Sequence, residues 1–454
     1  MLFSGLSCLE SRHPCCRRWS PCGKTSEAEI ADIVAERPLR FCMITTFYPP
    51  YSFGGDAVFV QRLSNELARR GHHVEVIHCV DAYRLLAHRE LAGTYQDDPN
   101  VIIHGLRSRV GPLSPLATQQ TGYPLFKSAE IRQVLDRGFD VIHFHNVSLV
   151  GGPGILTVGR GLKLYTMHEH WLVCPTHVLF KFDGAACTRP NCFICQIIHG
   201  RPPQLWRYSG LLKTMVGHVD AFIAPSRFVM EKHRDMGLDL PMVPLPNFLP
   251  EAQDSLPASD EDPATAPQRP YFLFLGRLEK LKGAQTLIPV FRRHGKAELL
   301  IAGSGSFEPQ LRGLAEGSAN IRFLGQQSAA QVRVLLHRAV ALIVPSICFE
   351  VFPNVTLEAF SQGTPAIVRN LGGMPEQIEQ SGGGLVYSTD EELTAAMNRL
   401  LTDRVDRDEL GRQGYAAYQA RWTADAHLGS YLALIRDLSV RRRQVPEQLR
   451  GGSV

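Results

Sequence analysis

The chain has 454 residues, with 48 Lys and Arg against 44 Asp and Glu, a formal net charge of +4, and 44 % hydrophobic and 20 % charged content. That length carries two or three domains with ample cores, and the near-balanced charge supplies no global field to hold nucleic acid. No apolar run reaches the roughly 18 residues of a membrane span, so a soluble protein is expected.

Residues 1–38 read as an irregular leader. Cys8, Cys15, Cys16 and Cys22 stand there among Pro14, Arg17, Arg18 and Pro21, without an apolar core of signal-peptide length. Eleven cysteines in a chain without an export signal favour reduced thiols, which predicts a cytoplasmic setting. From Arg40 onward, short β-branched runs alternate with longer amphipathic segments, the pattern of parallel sheets covered by helices. A strand at 41–46 leads into the loop Pro49-Pro50-Tyr51-Ser52-Phe53-Gly54-Gly55. A helix over 57–70 stops at Gly71, and a strand follows at 74–78, completing one βαβ unit. Further strands at 101–104, 141–145, 162–166, 221–224 and 242–245 fill an N-terminal doubly wound domain over 39–250.

Residues 251–270, rich in Pro, Ala, Ser and Asp, read as a linker. A second series at 271–275, 297–302, 321–324, 340–344, 366–368 and 384–386 fills a C-terminal domain over 271–423. The remainder, 424–454, is expected to be a helix crossing back onto the first domain, and a tail. The fold class is therefore α/β, with two Rossmann-like doubly wound domains facing across a cleft. Ligands of such sheets gather at the carboxyl ends of the strands.

Several residues at those strand ends have the chemistry to grip a phosphorylated sugar. In the stretch 349–358, Glu350 and Glu358 flank seven residues, with Pro353 where a helix can begin. A short extended piece and a helical turn would set the two carboxylates on the order of 10–15 Å apart, the reach from a sugar to a ribose across a diphosphate. Arg277 and Lys282, between Gly276 and Gly283 at the end of the second domain's first strand, can neutralise that diphosphate. Gly54 and Gly55 end the first strand of the first domain and would let backbone amides approach a phosphate or sugar. Asp56 follows and is a candidate acceptor contact. His168 closes the strand at 162–166, and His143 and His145 stand at the same sheet edge, where packing alone explains them equally well.

Cys174, Cys187, Cys192 and Cys195 form a cluster ending in Cys-x-x-Cys. Four thiolates suffice for a tetrahedral structural zinc, although the spacing matches no standard finger. Disulfide or redox use, and free cysteines in a capping loop, are the other two readings.

Gly276-Arg277 with Lys282-Gly283, Glu350 with Glu358, Pro246-Asn247 and Ala224-Pro225-Ser226-Arg227 together resemble the retaining family four glycosyltransferases (glycosyl transferases group 1), over residues 40–431. The resemblance implies the GT-B architecture, a nucleoside-diphosphate sugar donor held by the C-terminal domain, and no metal or other cofactor required for catalysis. It assigns Arg277 and Lys282 to the diphosphate, Glu350 to the donor sugar and Glu358 to the ribose. The helix start with Phe352, Pro353, Asn354 and Val355 meets the phosphate. Gly54 and Gly55 match the family's N-terminal glycine loop, and His168 its active-site histidine. Many relatives carry His-Asp where this chain has His168-Glu169, which puts the acidic neighbour's role in doubt. Gly303 and Leu324, in glycine turns after two strands, would line the base, although such turns need no ligand to explain them. Gly372-Gly373-Met374-Pro375-Glu376 resembles a family loop and reads equally well as a helix start.

The implied activity is retaining transfer of a sugar to an acceptor hydroxyl in cell-surface polysaccharide or glycolipid synthesis. The acceptor is a sugar or lipid-linked molecule met at the inner membrane face. Arg441, Arg442 and Arg443 are candidates for lipid headgroups, with a solvated tail as the plainer role. The competing readings are a GT-B sugar-nucleotide epimerase or phosphorylase, and a non-catalytic nucleotide-sugar-binding subunit.

Overall fold

In the computed structural model, residues 37–87, 96–182, 184–251 and 269–444 are described. Cys8, Cys15, Cys16 and Cys22, the interior of the linker at 252–268, the tail beyond 444 and the Arg443 side chain lie outside the described residues.

The first sheet holds β1 (Arg40–Ile44), β2 (His73–Cys79), β3 (Val101–Leu106), β4 (Val141–Phe144) and β5 (Leu162–Thr166). A two-stranded hairpin, β6 (Phe180–Lys181) and β7 (Ala185–Ala186), interrupts the series before β8 (Ala221–Ala224) and β9 (Met242–Pro244). The sheet order is β3-β2-β1-β4-β5-β8-β9, parallel at every pairing. A second parallel sheet follows, from β10 (Tyr271–Leu275), β11 (Glu298–Ala302), β12 (Ile321–Gly325), β13 (Ala341–Val344), β14 (Ala366–Arg369) and β15 (Gly384–Tyr387). Its order is β12-β11-β10-β13-β14-β15. In both sheets the chain reverses its winding beside the first strand, between β1 and β4 and between β10 and β13. A crevice opens at the carboxyl ends of the strands at each such point.

The central strands are apolar on both faces because helices cover both. Phe41, Cys42, Met43 and Ile44 of β1 are all fully buried. The helix Ala424–Gln444 supplies part of that cover, packing Leu428, Tyr431 and Ile435 against Phe41, Met43 and Leu164. Arg442 is not a solvated tail residue, since its guanidinium donates to the carbonyls of Gly161 (2.8 Å) and Arg160 (3.0 Å). Just before this helix, buried Trp422 stacks on Phe360 at 5.8 Å between centroids, and its carbonyl accepts from the Leu249 N–H at 2.9 Å. These contacts fix the end of the first sheet's last connection to the second sheet's helices.

Candidate active site

The strand ends meet in one cleft of about 1540 Å³, counting its open mouth. From the first sheet it is lined by Gly54, Gly55, Asp56 and His168. From the second it is lined by Gly276, Arg277, Lys282, Glu350, Phe352, Pro353, Asn354 and Val355. Residues scattered over some three hundred positions are gathered here because each follows the carboxyl end of β1, β5, β10 or β13.

Lys282 and Glu350 form the centre. The Lys282 ammonium stands 2.7 Å from Glu350 Oε1, which also accepts from the Ser346 hydroxyl at 2.7 Å. The backbone forces this meeting. Lys282 closes a 3-10 turn, Lys280–Lys282, and Gly283 after it has φ of 77°. A Cβ on Gly283 would stand 2.0 Å from the Pro345 carbonyl oxygen, so only glycine lets the turn lie against the end of β13. Burial alone would raise the Glu350 pKa, but the Lys282 charge, hydrogen bonds from Lys282 and Ser346, and Arg277 bring it below the usual carboxylate range. Burial would likewise lower Lys282, and Glu350 more than offsets it. Both groups therefore stay ionised around neutral pH. Arg277 leans on Glu279 Oε1 at 2.6 Å and keeps nearly half its side chain exposed.

The facing wall is close. A Cβ on Gly55 would come within 3.2 Å of Asn354 Nδ2, and one on Gly54 within 3.9 Å of the Arg277 guanidinium. Asn354 Oδ1 accepts from Asn247 Nδ2 at 3.1 Å, so the Pro246-Asn247 motif reaches the start of the helix Asn354–Ser361. Ser226 donates to the Val351 carbonyl at 2.8 Å. Glu376 accepts from the backbone N–H groups of Arg227 (3.0 Å) and Phe228 (3.2 Å), capping the helix Arg227–Asp235 from the opposite sheet. These residues join the two halves of the cleft.

His168 Nε2 lies 3.0 Å from His145 Nδ1. Burial lowers His168 to about 4, with Asp56 opposing, so the ring facing the cleft is neutral at physiological pH. His143 is held by Tyr431 and Thr166 at 2.8 Å each, a packing role. Glu169 reaches His177 at 2.7 Å, which accounts for the acidic neighbour of His168.

Three residues expected at the donor have local partners of their own. Gly303, Leu324 and Glu358 are not among the residues lining the cleft. A Cβ on Gly303 would stand 1.9 Å from the Gly276 carbonyl oxygen, so its glycine answers to the close passage of two loops. Leu324 packs against the core. The Glu358 carboxylate pairs with Arg62 at 3.8 Å, each side chain being one quarter exposed. Its pKa is raised by burial, with Arg62 partly opposing. Arg62 lies on the helix Gly55–Arg69 and carried no signal in the sequence, and neither did Ser346.

Cys174, Cys187, Cys192 and Cys195 line one small pocket beside the β6–β7 hairpin, and all four are free thiols. Burial, then the neighbouring thiols with Cys174 first, raise Cys192 to about 11. Among the described residues, no three His, Cys, Asp or Glu side chains are placed to hold a metal ion.

Comparison with known proteins agrees with this architecture. The model of the Glycosyltransferase Family 4 matches residues 53–253, and that of the Glycosyl transferases group 1 matches 257–417. The D-inositol 3-phosphate glycosyltransferase of Nocardia farcinica is 26 % identical over 471 residues, covering 93 % of this chain and 96 % of its own. Among solved structures, sucrose-phosphate synthase from Thermosynechococcus elongatus superposes with a TM-score of 0.68 at 20 % identity, over 89 % of this chain and all of its own. HepE of Anabaena, in complex with UDP-glucose, gives a TM-score of 0.58 at 13 % identity, over 90 % of this chain and all of its own. With one family model on each sheet and a cleft between them, the chain belongs to the GT-B glycosyltransferases of family four, the glycosyl transferases group 1.

Proposed function

We propose that the chain moves a sugar from a nucleoside-diphosphate sugar to an acceptor hydroxyl, with retention of configuration and without a catalytic metal. The observation that carries this is the Lys282–Glu350 pair at 2.7 Å, set at the winding reversal of the second sheet and facing the Gly54-Gly55 loop. Departure of a diphosphate develops negative charge, and Lys282, Arg277 and the start of the helix Asn354–Ser361 answer it with fixed positive charge and dipole. Retention fits attack from the face of departure, with the leaving phosphate taking the acceptor's proton. Glu350 is committed to Lys282 and Ser346 and serves the sugar hydroxyls, not as a nucleophile. The Anabaena HepE complex contains UDP-glucose, a donor of the proposed class.

A lipid-linked or polysaccharide acceptor, met at the cytoplasmic face of a membrane, belongs to the same proposal. No described helix is long and apolar enough to cross a membrane. A peripheral contact is supported by the helix Cys192–Ile198, where Phe193, Ile194, Ile197 and Ile198 are each about half exposed. The surrounding stretch 184–219 holds Arg189, Arg201 and Lys213, with Arg207 turned in against Trp171 and Trp206, and no Asp or Glu.

A thermal-shift panel of uridine, guanosine and adenosine diphosphate sugars tests donor binding. One member is expected to raise the melting temperature in a concentration-dependent way, since a ligand of the folded state stabilises it by mass action. A flat response across the panel contradicts the reading.

A structural zinc on the four-cysteine pocket is a separate proposal, and it requires the thiols to close onto one ion from where they stand. Elemental analysis near one zinc per chain supports it, and zinc-free folded protein removes it.

A further inference from the structure

His145 and His168 face each other ring nitrogen to ring nitrogen. His145 follows the end of β4, its N–H bound to the Ile44 carbonyl at 2.9 Å, and its ring is buried between Phe59 and His143. Nδ1 faces His168 Nε2 at 3.0 Å, while Nε2 is buried and finds no hydrogen-bond partner among the described residues. Two neutral imidazoles joined in this way have one proton between the facing nitrogens, so two arrangements exist. If His168 Nε2 carries that proton, His145 must be protonated at Nε2, leaving a buried N–H with no acceptor. If His145 Nδ1 carries it, His145 Nε2 is only an unfilled lone pair. Buried donors without acceptors are the rarer defect, and the second arrangement prevails. His168 Nε2 then accepts, and its own proton resides on Nδ1, the nitrogen left over for the cleft that His168 lines.

We propose that His145 is a positioning residue that fixes His168 as its Nδ1–H tautomer, so that His168 meets the cleft as a hydrogen-bond donor and selects an oxygen acceptor there. The identity of that acceptor, a hydroxyl oxygen of the bound sugar, rests on the glycosyltransferase reading; the tautomer does not. The orientation of one ring by the hydrogen bond of another is the general means by which an imidazole's working nitrogen is set.

The test is nitrogen NMR on histidine-labelled full-length chain, with His168 assigned by the signals lost in His168→Ala. Wild type is expected to show a bare Nε2 and a protonated Nδ1 on His168. His145→Leu removes the donor, shifts His168 toward the other tautomer, and lowers kcat by about 10-fold or more, as loss of an orienting partner does. His145→Asn, whose amide N–H can occupy the same place, is expected to restore the tautomer and most of kcat. A wild-type His168 protonated at Nε2, or a His145→Leu spectrum unchanged at His168, overturns the proposal. The spectra need no substrate. A chain with the expected tautomer that transfers no sugar would overturn the proposed function and leave this assignment standing.

Discussion

Replacing Lys282 by alanine lowers turnover by roughly 100-fold or more while the protein stays folded, because the variant loses the positive charge at the centre of the cleft that answers the leaving diphosphate. Arg277 remains, but it is half exposed and already engaged by Glu279, so it does not substitute. The loss has a second part. Lys282 is the leading opponent of the burial that would otherwise raise the Glu350 pKa. Without it, the carboxyl takes up a proton at higher pH than in the wild type. The folded-state pKa of Glu350 lies below its unfolded value, so the pair's contribution to stability is present above the unfolded pKa and fades as pH falls through the folded one. In Lys282→Ala the acid limb of the residual activity therefore moves upward. The pair is partly exposed, at 29 % for Lys282 and 14 % for Glu350, so solvent screening limits its contribution to the fold. Steady-state kinetics with a melting curve checks all of this. Near-wild-type turnover would remove Lys282 from the chemistry.

Glu350→Gln keeps the shape of the side chain and removes its charge. Hydrogen bonds to a charged acceptor contribute about 1.5–3 kcal/mol, so losing the charge-assisted grip on the sugar hydroxyls should lower kcat/KM by roughly 10- to 100-fold. The substitution also leaves Lys282 without its counter-charge but still aimed at the diphosphate. Binding of the free nucleoside diphosphate, measured by calorimetry, should thus change little, by less than about 1 kcal/mol. Lys282→Ala, by contrast, should weaken that binding as well as turnover. Equal loss of diphosphate affinity in both variants would mean that Glu350 only supports Lys282 and never meets the sugar.

What could be read from the sequence follows from the range of the interactions involved. The strands of both sheets announced themselves because each is a short apolar run between polar segments. Arg277, Lys282 and Glu350 were legible because they follow such runs, and strand ends are where ligands bind. Contacts made between the two sheets were not legible. Glu376 reads locally as the first turn of a helix, and only the folded chain shows its carboxylate capping the helix Arg227–Asp235. Arg62 is one more arginine on an amphipathic helix until Glu358 is found beside it. Gly303 was expected to line the base, although such a turn needs no ligand to explain it, and the Gly276 carbonyl that demands a glycine there lies in another loop. The hairpin β6–β7 is too short for any periodicity to register. His145 showed the same strand-end position as His143, and nothing local separates a ring that orients His168 from one that packs under Tyr431.

On the proposed function, this cleft releases a nucleoside diphosphate from a bound sugar donor. Incubating the purified chain with the donor that stabilises it, and measuring nucleoside diphosphate release together with the anomeric configuration of the transferred or hydrolysed sugar, reads the reaction and its stereochemistry in one experiment. The expected result is release that depends on Lys282, with the donor's configuration retained. A folded, donor-stabilised chain that releases no nucleoside diphosphate, or that inverts the configuration, would contradict it.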